Sequence, residues 1–251
     1  MNRLLFRQDE LNAAGRVCLR DRRADHLLRT LHVRRGDTVR AGVINGLAGK
    51  GLVEDIDADR VELQWVPDDA PPPPRPPVDL LLALPRPKVM KRLWAPLASL
   101  GVGRIILTNA AQVERNYFDT HWLAPASYEP LLLEGLEQSG DTRLPAVTIA
   151  RRLKPLIEDD LDGLFPSGRR VLAHPGAHPG LLRLRVPPDQ RLLLAVGPEG
   201  GWSDFEVELL RAHGFTCVAL GWRTLRCDIA CLALLAIAHE LLRAVSEPAG
   251  G

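Results

Sequence analysis

The sequence predicts a two-domain α/β protein in which a small β-barrel precedes a parallel sheet covered by helices. Three observations indicate this. Residues 71–77 contain six prolines and divide the chain, strand-like segments separated by turns precede them, and strand and helix patterns alternate after them. Prolines at this density exclude helix and stiffen the backbone. We therefore expect residues 1–70 and 78–247 to form separate domains joined by a proline-rich linker.

The part of the chain before the linker has the pattern of a small barrel with one helix. Branched and apolar residues concentrate in short segments that turn residues separate, as in antiparallel strands. Small barrels often bind nucleic acid, although fold alone does not establish function. The strands are predicted at Thr38–Ile44, Gly51–Ile56 and Arg60–Val66, and the helix at Asp25–Leu31.

After the linker, strand and helix patterns alternate. Val78–Leu84 is apolar almost throughout, as in a strand buried on both faces. Regular alternation predicts a largely parallel sheet with helices packed on it. The further strands are predicted at Arg104–Thr108, Arg170–His174, Arg191–Val196 and Phe215–Leu220, and the helices at Lys88–Leu100, His121–Ser139, Asp204–His213 and Asp228–Val245.

Composition excludes several classes of protein. No apolar run reaches the roughly 18–20 residues of a membrane span, and the first residues lack a secretory signal, so we expect a cytoplasmic protein with no membrane partner. Four cysteines without such a signal indicate free thiols. Cys227 and Cys231 are spaced to share a helix face, but no second Cys or His pair completes a zinc site, so we expect no metal.

The net charge of +1 conceals local basic segments. Residues 1–40 hold ten arginines against five acidic residues, and residues 80–113 hold five cations and no acidic residue. Basic surface of this kind attracts a phosphate backbone. With only four lysines in the chain, arginine also serves as the ordinary solvated cation, and charge alone leaves both interpretations open.

A glycine-rich turn follows one of the predicted buried strands. Leu192–Val196 leads directly into Gly197–Gly201, with the sequence GPEGG. Ser203 and Glu206 form a capping box for the next helix, whose end is marked by Gly214. Ligands of open parallel sheets bind outside the carboxyl ends of the strands, and glycines let backbone amides approach a ligand closely.

This turn differs from the phosphate loops of dinucleotide-binding proteins. Pro198 removes an amide donor, and Glu199 places negative charge where a pyrophosphate would lie. A ligand with positive charge or neutral hydrogen-bonding edges suits the turn better, which disfavours a nucleotide-dependent oxidoreductase. A purely structural turn between strand and helix is the alternative.

A second loop places two cations at the end of another predicted strand. Arg223 and Arg226 follow Phe215–Leu220, where they indicate either anionic partners or a solvated turn. The next helix, Ile229–Leu242, is apolar on nearly every face and is therefore expected to be buried. It lies in the layer that covers the sheet, or it also packs against a second subunit.

The two loops together carry a family resemblance. LLLAVGPEGGWSDFEVELLRAHGFTCVALGWRTLR, residues 192–226, resembles the ribosomal small-subunit rRNA uridine-N3 methyltransferases, the RsmE type of the SPOUT superfamily. LLLALPRPK (80–88) and GLEQSGDTRLP (135–145) resemble two further segments of that family. The chain departs from the family's pattern at Trp222, where proline is usual, and at residues 227–229, where Cys-Asp-Ile replaces Thr-Glu-Thr.

The resemblance implies a PUA-like N-terminal barrel, a SPOUT domain with a C-terminal trefoil knot, and a homodimer. It implies that S-adenosylmethionine binds to three loops, 172–175, 197–201 and 220–226. Its positively charged sulfonium agrees with the acidic residue in the glycine turn. The residues expected to contact the cofactor are Leu172, His174, Gly197, Pro198, Glu199, Gly200, Gly201, Leu220, Gly221, Leu225 and Arg226.

The resemblance further implies methyl transfer to N3 of a uridine in 16S rRNA of the small ribosomal subunit. Arg226, with Arg223, is expected to stabilise the developing uracil anion, and Asp228 to orient Arg226 or relay the proton. His178 has no indicated role beyond a loop position. The residues expected to contact RNA are Arg29, Arg34, Arg86, Lys88, Lys91, Arg92 and Arg143. A SPOUT ribose 2′-O-methyltransferase and a catalytically silent RNA-binding or ribosome-assembly factor are the alternatives.

Overall fold

The computed structural model describes residues 2–176, 179–187 and 190–246. The chain divides into two compact units, Met1–Arg75 with Leu133–Leu144, and Pro76–Leu132 with Pro145–Gly251. The sequence assigns Leu133–Leu144 to the second domain, whereas the structure groups it with the first. Long-range backbone pairing is the reason: the Arg3 N–H donates to the Glu137 carbonyl at 3.0 Å, and the Asn45 N–H to the Thr142 carbonyl at 2.7 Å.

The first unit contains a five-stranded sheet in the order β1-β3-β4-β5-β2. β1 runs parallel to β3, and the other neighbours are antiparallel. The three strands expected from the sequence are present, while β1 and β2 are too short for their alternation to be detected. The strands are β1 Leu4–Phe6, β2 Arg16–Leu19, β3 Thr38–Val43, β4 Ala48–Ile56 and β5 Val61–Pro67.

One helical segment packs on the core of the first unit. α1, Arg22–Asp25, continues into a π-helical turn at His26–Thr30, so the helix begins earlier than the expected Asp25. It begins there because the Asp21 carboxylate accepts the Arg23 N–H and caps the first turn. The core contains Leu4, Phe6, Val17, Leu19, Ala24, Leu27, Ala41, Val43, Val53, Val61 and Leu63.

The second unit is built on a six-stranded sheet in the order β11-β9-β10-β6-β7-β8, with every pair parallel. β6 and β10 lie inside the sheet with every residue buried, which explains their unbroken apolar runs. The sequence missed only the half-exposed edge strand, β8. The strands are β6 Val78–Ala83, β7 Val102–Thr108, β8 Ala146–Ala150, β9 Arg169–Ala173, β10 Leu192–Val196 and β11 Phe215–Val218.

The four long helices of this part of the chain agree with the sequence pattern, whereas the short α4 and α5, which follow β8, were not predicted. α6 has the expected capping box, in which the side chains of Ser203 and Glu206 each accept the other's backbone N–H. Gly214 has φ +84° just beyond its end. The helices are α2 Pro87–Ser99, α3 Pro125–Ser139, α4 Leu153–Pro155, α5 Leu161–Leu164, α6 Asp204–Ala212 and α7 Cys227–Ser246; α3 is preceded by a 3₁₀ turn at His121–Leu123.

Within a single chain, the last helix is buried on one face. α7 packs against β10, β6 and α2, and the residues of that face, Cys231, Leu234, Leu235 and Ala238, are buried. Ile229 is 49% exposed on another face. α7 therefore belongs to the layer that covers the sheet, and part of its apolar surface has no partner within the described chain. Across those residues, no helix has the length and apolar character needed to cross a membrane.

Candidate functional site

Three loops enclose a cavity of about 570 Å³ in the second unit. They follow β9, β10 and β11, which are neighbours in the sheet, so their carboxyl ends meet at one edge. The His174 N–H donates to the Val218 carbonyl at 3.0 Å and ties the first loop to the end of β11. The loops that the sequence singled out therefore line one cavity.

Most of the expected cofactor residues line this cavity, but two do not. Leu172 is fully buried inside β9, and Ala173, at the end of the strand, takes its place in the lining. Arg226 lies in the third loop without lining the cavity. The expected cofactor residues that do line it are His174, Gly197, Pro198, Glu199, Gly200, Gly201, Leu220, Gly221 and Leu225. Arg223, expected to act in catalysis, lines it as well.

The glycine turn is held by a buried carboxylate. Glu206 accepts the Ala111 N–H at 2.7 Å, the Ser203 N–H at 2.8 Å and the Ser203 hydroxyl at 2.9 Å. These hydrogen bonds join the end of the turn to the loop after β7. Because the Glu206 side chain is only 5% exposed, they form in a poorly solvated position, where hydrogen bonds to a charged group are strong. Gly201 has φ +77°, and a Cβ at Gly200 would lie 2.9 Å from the Gln112 side chain. The turn thus requires glycine at both positions.

Glu199 is the acidic residue of the turn and is exposed at the cavity. Its carboxylate accepts the Arg86 N–H at 3.4 Å, just before α2 begins. Among the described residues, no cation forms an ion pair with it. Pro198 beside it is buried and supplies no N–H to the lining.

The third loop carries its two arginines in different surroundings. The Arg226 guanidinium donates to the Asp228 carboxylate at 2.7 Å, and Arg92 from α2 lies 3.5 Å from the same oxygen. Asp228 is the most buried of the three and forms an ion pair with both cations. Arg223 instead stacks on Trp222, with 4.6 Å between its guanidinium carbon and the ring centroid.

Several lining residues were missed by the sequence argument. Cys227, Ala230 and Leu234 line the cavity from α7, where their spacing places them on one helix face. That spacing was visible in the sequence, but nothing indicated which face of an apolar helix meets a ligand. Trp202 also lines the cavity, directly after the glycine turn.

The two cysteines of the first turns of α7, Cys227 and Cys231, are free thiols and are buried. A hydrogen bond with Cys227 and complete burial raise the pKa of the Cys231 thiol well above its ordinary value. No group of three potential metal ligands occurs in the parts of the chain that the structure describes.

The residues expected to contact RNA fall into two groups. Lys88, Lys91 and Arg92 are exposed on α2, and Arg86 is exposed just before it. The ammonium of Lys91 lies 4.3 Å from the centroid of a Trp122 ring. These four residues form a basic surface of the second unit.

The first unit contains the other three predicted RNA contacts. Arg29 and Arg34 are exposed, and Arg29 pairs with Asp25 at 3.2 Å. Arg143 donates to the carbonyls of Pro73 and Asn45 and so serves the unit's own structure. His178 lies outside the described residues.

Comparison with known proteins decides the family. The family model described as RNA methyltransferase domain matches residues 72–239, about two thirds of the chain. The chain belongs to this RNA methyltransferase family. The match contains all three loops of the cavity, which makes the cavity the candidate site of the methyltransferase.

Relatives of similar length support the assignment. The methyltransferase is 29% identical to ribosomal RNA small subunit methyltransferase E of Treponema pallidum, over 99% of this chain and 96% of that one. It is 25% identical to ribosomal RNA small subunit methyltransferase E 1 of Borreliella burgdorferi, over 93% of this chain and 95% of that one.

Solved structures share the fold of the methyltransferase across both units. A ribosomal RNA small subunit methyltransferase E from Neisseria gonorrhoeae, bound to S-adenosyl methionine, matches with a TM-score of 0.77 and 23% identity, over 96% of this chain and 98% of that one. A methyltransferase from Legionella pneumophila, in complex with the same cofactor, matches with a TM-score of 0.74 and 20% identity, over 97% of both chains.

Proposed function

We propose that the protein is an S-adenosylmethionine-dependent methyltransferase that modifies N3 of a uridine in 16S rRNA of the small ribosomal subunit. The observation that carries the proposal is the cavity formed by the three loops, inside the segment that matches the RNA methyltransferase family. Relatives over nearly the full chain length are small-subunit rRNA methyltransferases, which supports this substrate.

The cavity fits the cofactor in size and chemistry. Its volume of about 570 Å³ lies within the roughly 300–1,000 Å³ of small-molecule sites. Backbone of the glycine turn supplies hydrogen-bonding edges, and Ala230 and Leu234 supply apolar surface. Glu199 supplies negative charge that suits a sulfonium. When bound, S-adenosylmethionine supplies an activated methyl group.

Arg226 and Arg223 are proposed to stabilise the negative charge that develops on the uracil as N3 loses its proton. Asp228 is proposed to orient Arg226, which the 2.7 Å hydrogen bond between them supports. Its carboxylate is also a base in the same ion-paired cluster and is the proposed acceptor or relay of the N3 proton. Because N3 lies on the Watson–Crick edge, the target uridine has to be unpaired when it reacts.

The proposed fold contains a trefoil knot in the SPOUT domain. The segment between β9 and β10 pairs with the end of β11, since the Ala219 N–H donates to the Pro179 carbonyl at 3.1 Å. α7 contacts both the 3₁₀ turn Leu181–Arg183 of that segment and strands β10 and β6. These contacts support a path in which the chain after β11 passes through the segment that precedes β10.

The first unit is proposed to be a PUA-like barrel that contacts RNA, and the basic surface of α2 in the second unit is proposed to contact RNA as well. The exposed Arg29, Lys88, Lys91 and Arg92 support contacts with phosphates, which position an RNA without specifying its sequence. By the same proposal, the proline-rich run 71–77 contains one of the connections between this unit and the SPOUT domain, and the protein acts in the cytoplasm.

The protein is proposed to be a homodimer through α7. Ile229, Leu232, Ala233, Ala236 and Ile237 follow the helical spacing of a single stripe and are half-buried or exposed. A second copy would remove this apolar stripe from water.

The test compares methyl transfer to 16S rRNA by the wild-type protein, Arg226→Ala and the control Arg211→Ala. Arg211 is exposed on α6, pairs with Glu208 and does not line the cavity, so its loss should change the rate little. Arg226→Ala should lower the rate by about 100-fold or more while S-adenosylmethionine binds with unchanged affinity.

Equal rates in the two variants would remove Arg226 from the mechanism. Nucleoside analysis of the product separates a methylated base from a methylated ribose. Primer extension on rRNA from cells that lack the protein should lose one stop at a uridine. If S-adenosylmethionine does not bind in calorimetry, the protein is a silent RNA-binding factor.

A further inference from the structure

A tryptophan stands exposed at the edge of the cavity. Trp222 is 87% exposed, the largest fraction among the large apolar side chains that are exposed in the described chain. It lines the cavity in the third loop, between Leu220 and Leu225, where every residue from Gly221 to Arg226 is exposed. An isolated apolar side chain on a surface needs no explanation by itself. An indole at the rim of a ligand site, however, offers a large flat face to whatever enters.

Arg223 covers one face of this indole. Its guanidinium carbon lies 4.6 Å from the ring centroid, within the range of a cation–π contact. Arg226 is paired with Asp228, whereas Arg223 has no carboxylate partner among the described residues. The pair therefore combines an open aromatic face with an unneutralised planar cation.

We propose that Trp222, backed by Arg223, is the stacking platform for the unpaired base that the RNA substrate delivers to the cavity. The inference rests on the proposed function, because a uridine that exposes N3 has lost its pairing and part of its stacking. Aromatic side chains and arginine planes replace that stacking in proteins that bind single-stranded RNA. In that arrangement, the positive charge of Arg223 would be close enough to interact with a phosphate or a base carbonyl of the bound RNA.

Stacking on an indole contributes affinity without reading the identity of a base. We therefore expect Trp222 to act on RNA binding and leave cofactor binding unchanged. A residue that merely stabilises the loop would change both.

The experiment measures the Kd of the full-length protein for unmodified 16S rRNA in the presence of S-adenosylhomocysteine. The variants are Trp222→Ala, Trp222→Phe and the control Phe205→Ala, which removes an aromatic ring that is 65% exposed on α6 outside the cavity lining. Elevated salt suppresses the phosphate contribution, which leaves stacking the larger share of the binding. Trp222→Ala should raise this Kd by roughly 5- to 150-fold, the range of base–aromatic stacking. Trp222→Phe should restore most of the affinity, and Phe205→Ala should match the wild type.

Three results would overturn the inference. An unchanged RNA Kd in Trp222→Ala removes the platform. A tenfold loss of S-adenosylmethionine affinity in the same variant means that the indole stacks on the adenine of the cofactor. A halved molecular mass in light scattering means that it contacts a second subunit. The proposed function is tested separately. It fails if the wild-type protein transfers no methyl group to 16S rRNA. If Trp222→Ala is active and binds RNA normally, only the stacking proposal fails.

Discussion

Replacing Glu206 by alanine tests whether one buried carboxylate holds the glycine turn in place. The substitution removes the acceptor for the Ala111 and Ser203 N–H groups and for the Ser203 hydroxyl. A hydrogen bond to a charged group contributes about 1.5–3 kcal/mol, so the two backbone donors alone correspond to about 3–6 kcal/mol. Because the loops can partly relax towards water, we expect the free energy of unfolding to fall by about 3 kcal/mol.

The assay is urea unfolding followed by circular dichroism, with Glu208→Ala as the matched control. Glu208 lies on the same helix, but its side chain is exposed and pairs with Arg211, so its loss should cost less than about 1 kcal/mol. Glu206→Gln keeps one acceptor oxygen, so its free energy of unfolding should lie between those of Glu206→Ala and Glu208→Ala. S-adenosylmethionine should also bind Glu206→Ala more weakly. The reasoning is refuted if Glu206→Ala and Glu208→Ala unfold at the same urea concentration.

Three further outcomes are expected. Burial lowers the pKa of His239 below its ordinary value of 6.5, and the hydrogen bond to the Gly101 carbonyl offsets only part of this effect. As the pH falls, His239 is therefore protonated at a higher pH in the unfolded chain than in the folded protein. Stability should therefore fall as the pH drops below about 6.5, and His239→Gln should flatten that slope; equal slopes would contradict the assignment. Ala236→Glu, on the apolar stripe of α7, should halve the mass in light scattering, whereas Ala212→Glu on α6 should leave it unchanged; an unaltered mass in both rejects this dimer surface. Lys88→Ala should lower the slope of log affinity for rRNA against log salt by about 0.7–0.9, and an unchanged slope would mean that Lys88 meets no phosphate.

The sequence predicted the loops of the site better than their individual contacts. Strand ends and glycine turns have strong local signals, so Gly197–Gly201 and Leu220–Arg226 were found without a structure. Which residue of a strand reaches the cavity depends on where the strand ends. Leu172 lies one residue before the end of β9, and Ala173, the last residue of that strand, lines the cavity.

Long-range pairing was the main source of error in the fold. The sequence of Leu133–Leu144 continues a helix and gives no sign of its partners, which lie more than 90 residues away along the chain. α7 was expected to be buried on every face because its composition is apolar all round. Hydropathy does not distinguish a surface covered by the same chain from one that needs a second copy.

The division of α3 between the two units has a consequence for how the protein can be cut. A fragment that ends at Arg75 would lack Leu133–Leu144, and with it the carbonyls that accept the N–H groups of Arg3 and Asn45. It would also lack Glu137, which pairs with Arg22 at 2.9 Å. The first unit is therefore not a module that can be excised at the proline run. Its folding has to wait until the ribosome has synthesised almost sixty percent of the chain, including residues 76–132 of the second unit.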